Sequence, residues 1–172
     1  ANNMGGELTL SSVEEFEAKL AAAPKEGAVK VTVNAKEAAP RYSGLTIRNV
    51  KVTESPDWLK SKLMTIGVRP INSIVDITNY ILMEMGQPMH AFDCNFLEGN
   101  AINVRRANDA ETIVALNEKE YTLDSSNLVI CDGVKPVAIA GVMGGLNSEI
   151  RDNTSEVMFE CAKFARDNVR KT

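Results

Sequence analysis

The sequence predicts an α+β protein with a layered, sandwich-like β core. Three observations carry that reading. Two helical segments with start and stop signals stand together at 55–67 and 73–86. Beyond residue 90 the chain breaks into short β-type runs separated by turn residues. The order is strand, helix, helix, many strands. It lacks the regular βαβ alternation that a doubly wound sheet requires.

The elements follow in chain order. Residues 1–10 carry no periodic pattern. "SSVEEFEAKLAAAP" at 11–24 reads as a helix, with Ser12 as N-cap and Glu15 completing a capping box. Pro24 and Gly27 end it. "AVKVTVN" at 28–34 alternates apolar and polar residues and reads as a strand. "AAPRYSGLTIRNVKVT" at 38–53 is a second extended segment, with Gly44 a candidate bulge. In "SPDWLKSKLMTIG", Ser55 is expected to cap, Pro56 to take the first helical position and Gly67 to follow the end. Trp58, Leu59, Leu63 and Ile66 share one face.

In "SIVDITNYILMEMG", Ser73 and Asp76 form the expected capping box and Gly86 stops the helix. Its apolar stripe is Ile74, Ile77, Ile81, Leu82 and Met85, and Thr78 points along it. After His90 come "AINVRRA", "TIVAL", "KEYTL", "NLVICD" and "PVAIAGVMGG". "SEVMFECAKF" at 155–164 is the last strand. There is no internal repeat and no low-complexity tract.

Composition limits the classes of function. The chain has 172 residues, 44% of them apolar and 24% charged, which suits one domain with a sizeable core. No apolar run approaches the length of a membrane span, and no signal peptide opens the chain, so a soluble cytoplasmic protein is expected. Three cysteines without a C-x-x-C pair argue against a disulfide framework and a zinc site. Cys94, Cys131 and Cys161 are expected to pack as small apolar residues. The net charge is −4, and basic residues cluster only in "VRRAN" at 104–108 and "RDNVRKT" at 166–172. A free-standing nucleic-acid binder usually carries a basic stripe.

A few residues are candidates for chemistry. His90 is the only histidine. It is either a core group satisfied by a hydrogen bond or a proton-handling group in a site. Glu160 alternates with Met158 and Ala162. It lies either on an edge strand in water or on a covered strand facing a polar cavity, because a buried carboxylate is costly without a partner. "AGVMGG" at 140–145 is either an ordinary tight turn or a loop whose backbone approaches a ligand. It lacks the Gly-Lys-Ser/Thr of a phosphate loop. Thr78 and Asn79 are either satisfied within their helix or hydrogen-bonding groups of a site. No Ser-His-Asp arrangement stands out. Catalysis by this set would use an oriented water, backbone donors and His90 or Glu160. That suits hydrolysis of an activated bond such as an ester, not an amide.

"RYSGLTIRNVKV", "SPDWLKSKL", "GVRPINSIVDITNYILMEMGQPMHAFD", "VAIAGVMGGLNSEI" and "VMFECAKF" occur in this order. Together they resemble the beta subunits of bacterial phenylalanyl-tRNA synthetases, from about Arg41 to Phe164. The resemblance implies the paired third and fourth domains of that subunit, its editing module. It implies a three-layer α+β fold with a β-sandwich of unusual topology flanked by helices. Residues 1–40 would be a lead-in helix and strand packed on the module, and 41–172 the editing domain.

The implied activity is hydrolysis of tyrosine wrongly esterified to the phenylalanine tRNA. The family's pocket carries over to His90, Thr78 and Asn79 at the ester end and the attacking water. Ala140, Gly141, Gly144 and Gly145 supply the loop, and Glu160 meets the tyrosine hydroxyl. The implied partners are the tRNA 3′ end and the alpha subunit of an α2β2 synthetase, with no membrane. No metal or cofactor is expected in this segment, since ATP and magnesium serve the synthetic site of the whole enzyme. The chain lacks the tRNA-binding, catalytic-like and anticodon-reading domains of a whole beta subunit, so an excised domain is expected. The rival is a non-catalytic module that packs on the alpha subunit or guides tRNA. It predicts Glu160 buried against another charge, no cavity beside "AGVMGG", and a large apolar patch.

Overall fold

The structure, a computed structural model, describes residues 13–172. Three layers build the domain: a helical pair, a small sheet and a large sheet. The α+β class and its layered β core are as the sequence predicts.

Helix α1, Val13–Ala22, buries none of its residues. Ser12 of the expected capping box lies outside the described residues, while Glu15 pairs with Lys19 one turn on at 2.7 Å. Strand β1, Lys30–Val33, runs parallel to β4, Ala101–Arg106. The large sheet continues antiparallel through β7, Leu128–Cys131, and β8, Pro136–Ile139, to β9, Met143–Gly144. Strands β5, Glu111–Val114, and β6, Glu120–Leu123, form a separate hairpin.

The small sheet places β10, Glu156–Lys163, between β2, Arg41–Arg48, and β3, Met89–Asp93. Its pairing with β2 is continuous from Glu156–Arg48 to Lys163–Arg41, so Gly44 is no bulge. A Cβ at Gly44 would meet Cε of Met158, the end of a flexible side chain that would have to shift.

Strand alternation sorts the small sheet's residues between two neighbours. Phe92 and Met158 face the large sheet and join Ile102, Val104, Leu128 and Ile130 in the main core. Each of these large side chains contributes about 2 kcal/mol by leaving water. Ala91, Val157 and Phe159 face outward, against Ile74 of the third helix. Val29, Ala35, Ala38 and Ala39, from the stretch before β2, also sit in the main core.

Both central helices begin differently from expectation. Helix α2, Asp57–Thr65, has Pro56 as N-cap and no side-chain cap. Helix α3, Ser73–Met85, is capped by Asn72, whose Oδ1 accepts from the N–H groups of Ile74 and Val75. Ser55 and Asp76 are used elsewhere. Ser55 Oγ donates to Asp76 Oδ2 at 2.6 Å, and the Ile71 N–H donates to Oδ1 at 2.8 Å. This buried carboxylate ties the lead-in of α2 to α3. A cap would satisfy fewer buried groups, which is why the tertiary use wins.

Gly86 ends α3 in the left-handed conformation, as its position predicts. The expected apolar stripes are only partly covered. Leu59, Leu63 and Ile74 are buried, but Trp58 is 56% and Met85 76% exposed. No helix is long and apolar enough to cross a membrane among the described residues. Helix α4, Arg166–Lys171, follows β10.

Candidate functional site

A cavity of about 700 Å³ opens where β3, β10, the β8–β9 turn and the segment after β10 meet. Its lining includes His90, Leu116, Gly141, Gly144, Glu160 and Phe164. It is chiefly apolar, and of its three titratable groups, His90, Glu160 and Lys163, the first two are direct partners across the β3–β10 pair.

Glu160 is 6% exposed on the central strand of its sheet. The edge-strand alternative is therefore removed. Burial pushes its carboxyl up to about 7, and a hydrogen bond from Tyr42 pulls the other way. Tyr42 Oη donates to Oε2 at 3.0 Å. Burial and the neighbouring carboxylate hold the Tyr42 phenol well above its ordinary range, so it stays a donor. Glu160 Oε1 accepts no hydrogen bond from any described residue. A carboxyl poised near neutrality in a cavity marks a functional-site candidate with a physical cause.

His90 lies on β3, its ring meeting Phe92 edge-on at a centroid distance of 4.6 Å. Its Nε2 is buried and has no hydrogen-bond partner among the described residues. Burial pushes its pKa down to about 4, so the ring is neutral at physiological pH. The alternative of a satisfied core histidine does not hold. An orphaned buried nitrogen asks for a partner that arrives from outside, a water or a ligand. Gly144 makes room for the ring. A Cβ there would collide with His90 Cε1 and stand 2.7 Å from Nε2.

The rest of the glycine-rich loop divides in two. Gly141 takes φ +72 in the β8–β9 turn, which the Val142 N–H closes by donating to the Ile139 carbonyl at 3.0 Å. Ala140 and Gly145 do not line the cavity. Their N–H groups are spent inside the fold, on the carbonyls of Leu128 and Val137. Gly145 is required because a Cβ would come within 2.6 Å of the Val137 carbonyl oxygen.

Thr78 and Asn79 do not line the cavity either. Thr78 lies one turn beyond Ile74, on the helix face turned to the outer surface of the small sheet. It is buried, and its Oγ1 donates to the Val75 carbonyl at 2.7 Å. Asn79 is half-buried beside it. The structure thus gathers His90, Glu160, Gly141 and Gly144, and leaves Thr78, Asn79, Ala140 and Gly145 in the surrounding frame.

Tyr42 is the residue that sequence reading missed. A polar-tipped side chain two before Gly44 on a strand is a faint signal, and its partner lies 118 residues away. The basic cluster at 104–108 is also accounted for. Arg105 makes a two-pronged pair with Glu111, and Arg106 donates to the Ser126 carbonyl.

The sequence profile of the B3/4 domain family matches residues 38–172. The chain belongs to this family. The B3/4 domain is also similar to proteins named phenylalanine–tRNA ligase beta subunit. That of Syntrophus aciditrophicus is 49% identical over 133 residues, covering 77% of this chain and 16% of the relative. That of Solibacter usitatus is 50% identical over 145 residues, covering 84% and 19%. That of Clostridium acetobutylicum is 52% identical over 130 residues, covering 76% and 16%. The B3/4 domain therefore spans less than a fifth of these relatives' length. A solved N-terminal fragment of the phenylalanyl-tRNA synthetase beta subunit from Pyrococcus horikoshii superposes with a TM-score of 0.57 at 14% identity. The match covers 85% of this chain and 47% of that one. At that identity the likeness concerns the fold.

Proposed function

We propose that this B3/4 domain hydrolyses the ester between a wrongly attached tyrosine and the 3′ end of the phenylalanine tRNA. One observation carries the reading: a buried Glu160 with an unengaged oxygen shares a cavity with a neutral His90 whose buried Nε2 is orphaned.

The chemistry follows from those two groups. A tyrosine phenol entering the cavity donates to Glu160 Oε1. Phenylalanine in the same position would leave that oxygen buried and unpaired. Sites built to pair with a hydroxyl reject the analogue that lacks it far better than apolar pockets reject an added hydroxyl. Neutral His90 Nε2 accepts a hydrogen bond from the attacking water or from the terminal ribose. Water oxygen bonds to the ester carbonyl carbon, the bond from that carbon to the ribose oxygen breaks, and the ribose oxygen takes up a proton. With its pKa near 4, His90 orients and is a poor base, so removing it slows the reaction without abolishing it. Thr78 and Asn79 lie on α3 outside the cavity lining and are assigned no step.

In the same reading the domain works within a cytoplasmic α2β2 phenylalanine–tRNA ligase. The alpha subunit and the tRNA are its partners, and ATP and magnesium act at a separate synthetic site. Tyr42, which holds Glu160, is a neutral hydroxyl, and a cavity adjoins the loop. Both features favour the hydrolase over a purely structural module. The net charge of −4 and the internal use of Arg105 and Arg106 fit a tRNA gripped mainly by other parts of the assembly.

NMR titration of the labelled domain with free tyrosine and with phenylalanine tests the reading without relying on tRNA affinity. Shifts at Gly144 and Glu160 that favour tyrosine are expected. Equal shifts for both amino acids, or none, would defeat it.

A further inference from the structure

We propose that Tyr42 is a positioning residue for phenol recognition: its hydroxyl occupies one oxygen of Glu160, leaving the other as the acceptor presented to the cavity. The inference rests on the hydrolase reading and adds a determinant of its specificity.

The small sheet builds the arrangement. Tyr42 pairs with Ala162 across β2–β10, so it stands diagonally beside Glu160, on the same face of the sheet. A shift of one residue in this register would turn Tyr42 to the helical side. Directly opposite Glu160 on β2 is Gly44, which has no side chain to compete for the carboxyl. On the other flank, His90 is the direct partner but makes no hydrogen bond to Glu160. The carboxyl is therefore held from one side only, by a phenol at 3.0 Å.

Two consequences follow. A carboxyl free to rotate would present either oxygen to a ligand, and fixing it removes that ordering cost at binding. The Tyr42 hydroxyl also favours the charged form of Glu160, which is the stronger acceptor for a phenol. Few other charges act there. Tyr42 faces Glu160 from β2 and His90 from β3, and Lys163 lies at the cavity rim on the same strand as Glu160. The large sheet contributes uncharged Ile130, Ala138, Ile139 and Gly144, the segment before β3 Gln87, and α4 Val169.

A purely structural Tyr42 would be replaced by phenylalanine without effect on Glu160 or on ligand choice. Tyr42→Phe in the whole chain tests this through two readouts. In the ligand-free protein, carbon NMR of the Glu160 carboxyl should show the titration midpoint rising by about one unit, a tenfold change in the proton equilibrium. At neutral pH the preference for free tyrosine over phenylalanine should fall about tenfold. An unmoved midpoint overturns the inference, and so does a moved midpoint with the preference intact. In both cases the hydrolase reading stands. A wild-type protein with no preference for tyrosine defeats the hydrolase reading, and this inference with it. If Tyr42→Phe does not fold, 3-fluorotyrosine at the tyrosines gives the reverse perturbation. Its phenol is a stronger donor, so the Glu160 midpoint should fall, and a constant or rising midpoint overturns the inference.

Discussion

Replacing Glu160 by glutamine should make the domain more stable at alkaline pH than the native sequence. Burial raises the carboxyl from 4.5 to about 7. Below pH 4.5 the group is protonated in both folded and unfolded states and costs nothing. As pH rises through 4.5 to 7 the unfolded chain ionises first, so the native protein loses stability. The displacement is worth about 3 kcal/mol at 1.36 kcal/mol per unit, most of it falling between pH 5 and 8. Glutamine keeps an acceptor for Tyr42 and has no charge to desolvate. Urea unfolding of both proteins at pH 5 and pH 8 measures the difference. The advantage of Glu160→Gln should grow by about 2–3 kcal/mol between the two. Comparing across pH cancels packing changes and the titration of His90, which both proteins share. An advantage that stays constant within about 0.5 kcal/mol would refute the claim that Glu160 is desolvated.

Other perturbations probe the same frame. His90 has the opposite sign, because its folded pKa is depressed from 6.5 to about 4. Its stability contribution is present above pH 6.5 and is lost as pH falls to 4. His90→Gln should remove about 3 kcal/mol of acid sensitivity in that window, read by thermal unfolding across pH. Gly144→Ala should force the His90 ring from its seat, lowering stability by about 1–3 kcal/mol and weakening tyrosine-induced NMR shifts. Asp76→Ala leaves the Ser55 hydroxyl and the Ile71 N–H without their partner, and should cost about 3 kcal/mol in urea unfolding while sparing the cavity.

Much of the layout is legible along the chain because its signals are local. The alternation in "EVMFECAK" and "AVKVTVN" marks strands, and Gly86 marks the end of α3. Gly141 and Gly144 stand out because a tight turn and a close ring approach both demand glycine. What the chain hides is pairing between distant residues. Ser55 and Ser73 have the form of helix caps, yet Ser55 is claimed by Asp76, 21 residues on. Gly44 has the form of a bulge, yet it sits in a continuous ladder opposite Glu160. Glu160 becomes interpretable only once β10 is known to be central and Tyr42 its neighbour. Thr78 carries a polar group on the covered side of α3, but strand order puts that side on the outer face of the small sheet.

The most direct measurement is release of amino acid from one tRNA preparation, the phenylalanine tRNA, charged with tyrosine or with phenylalanine and incubated with a large excess of the domain. Tyrosine release well above the rate in buffer is expected, with little acceleration for phenylalanine. Glu160→Gln should abolish that difference, and His90→Ala should slow tyrosine release only partially. Equal rates for the two esters, or tyrosine release unchanged by Glu160→Gln, would contradict the hydrolase reading.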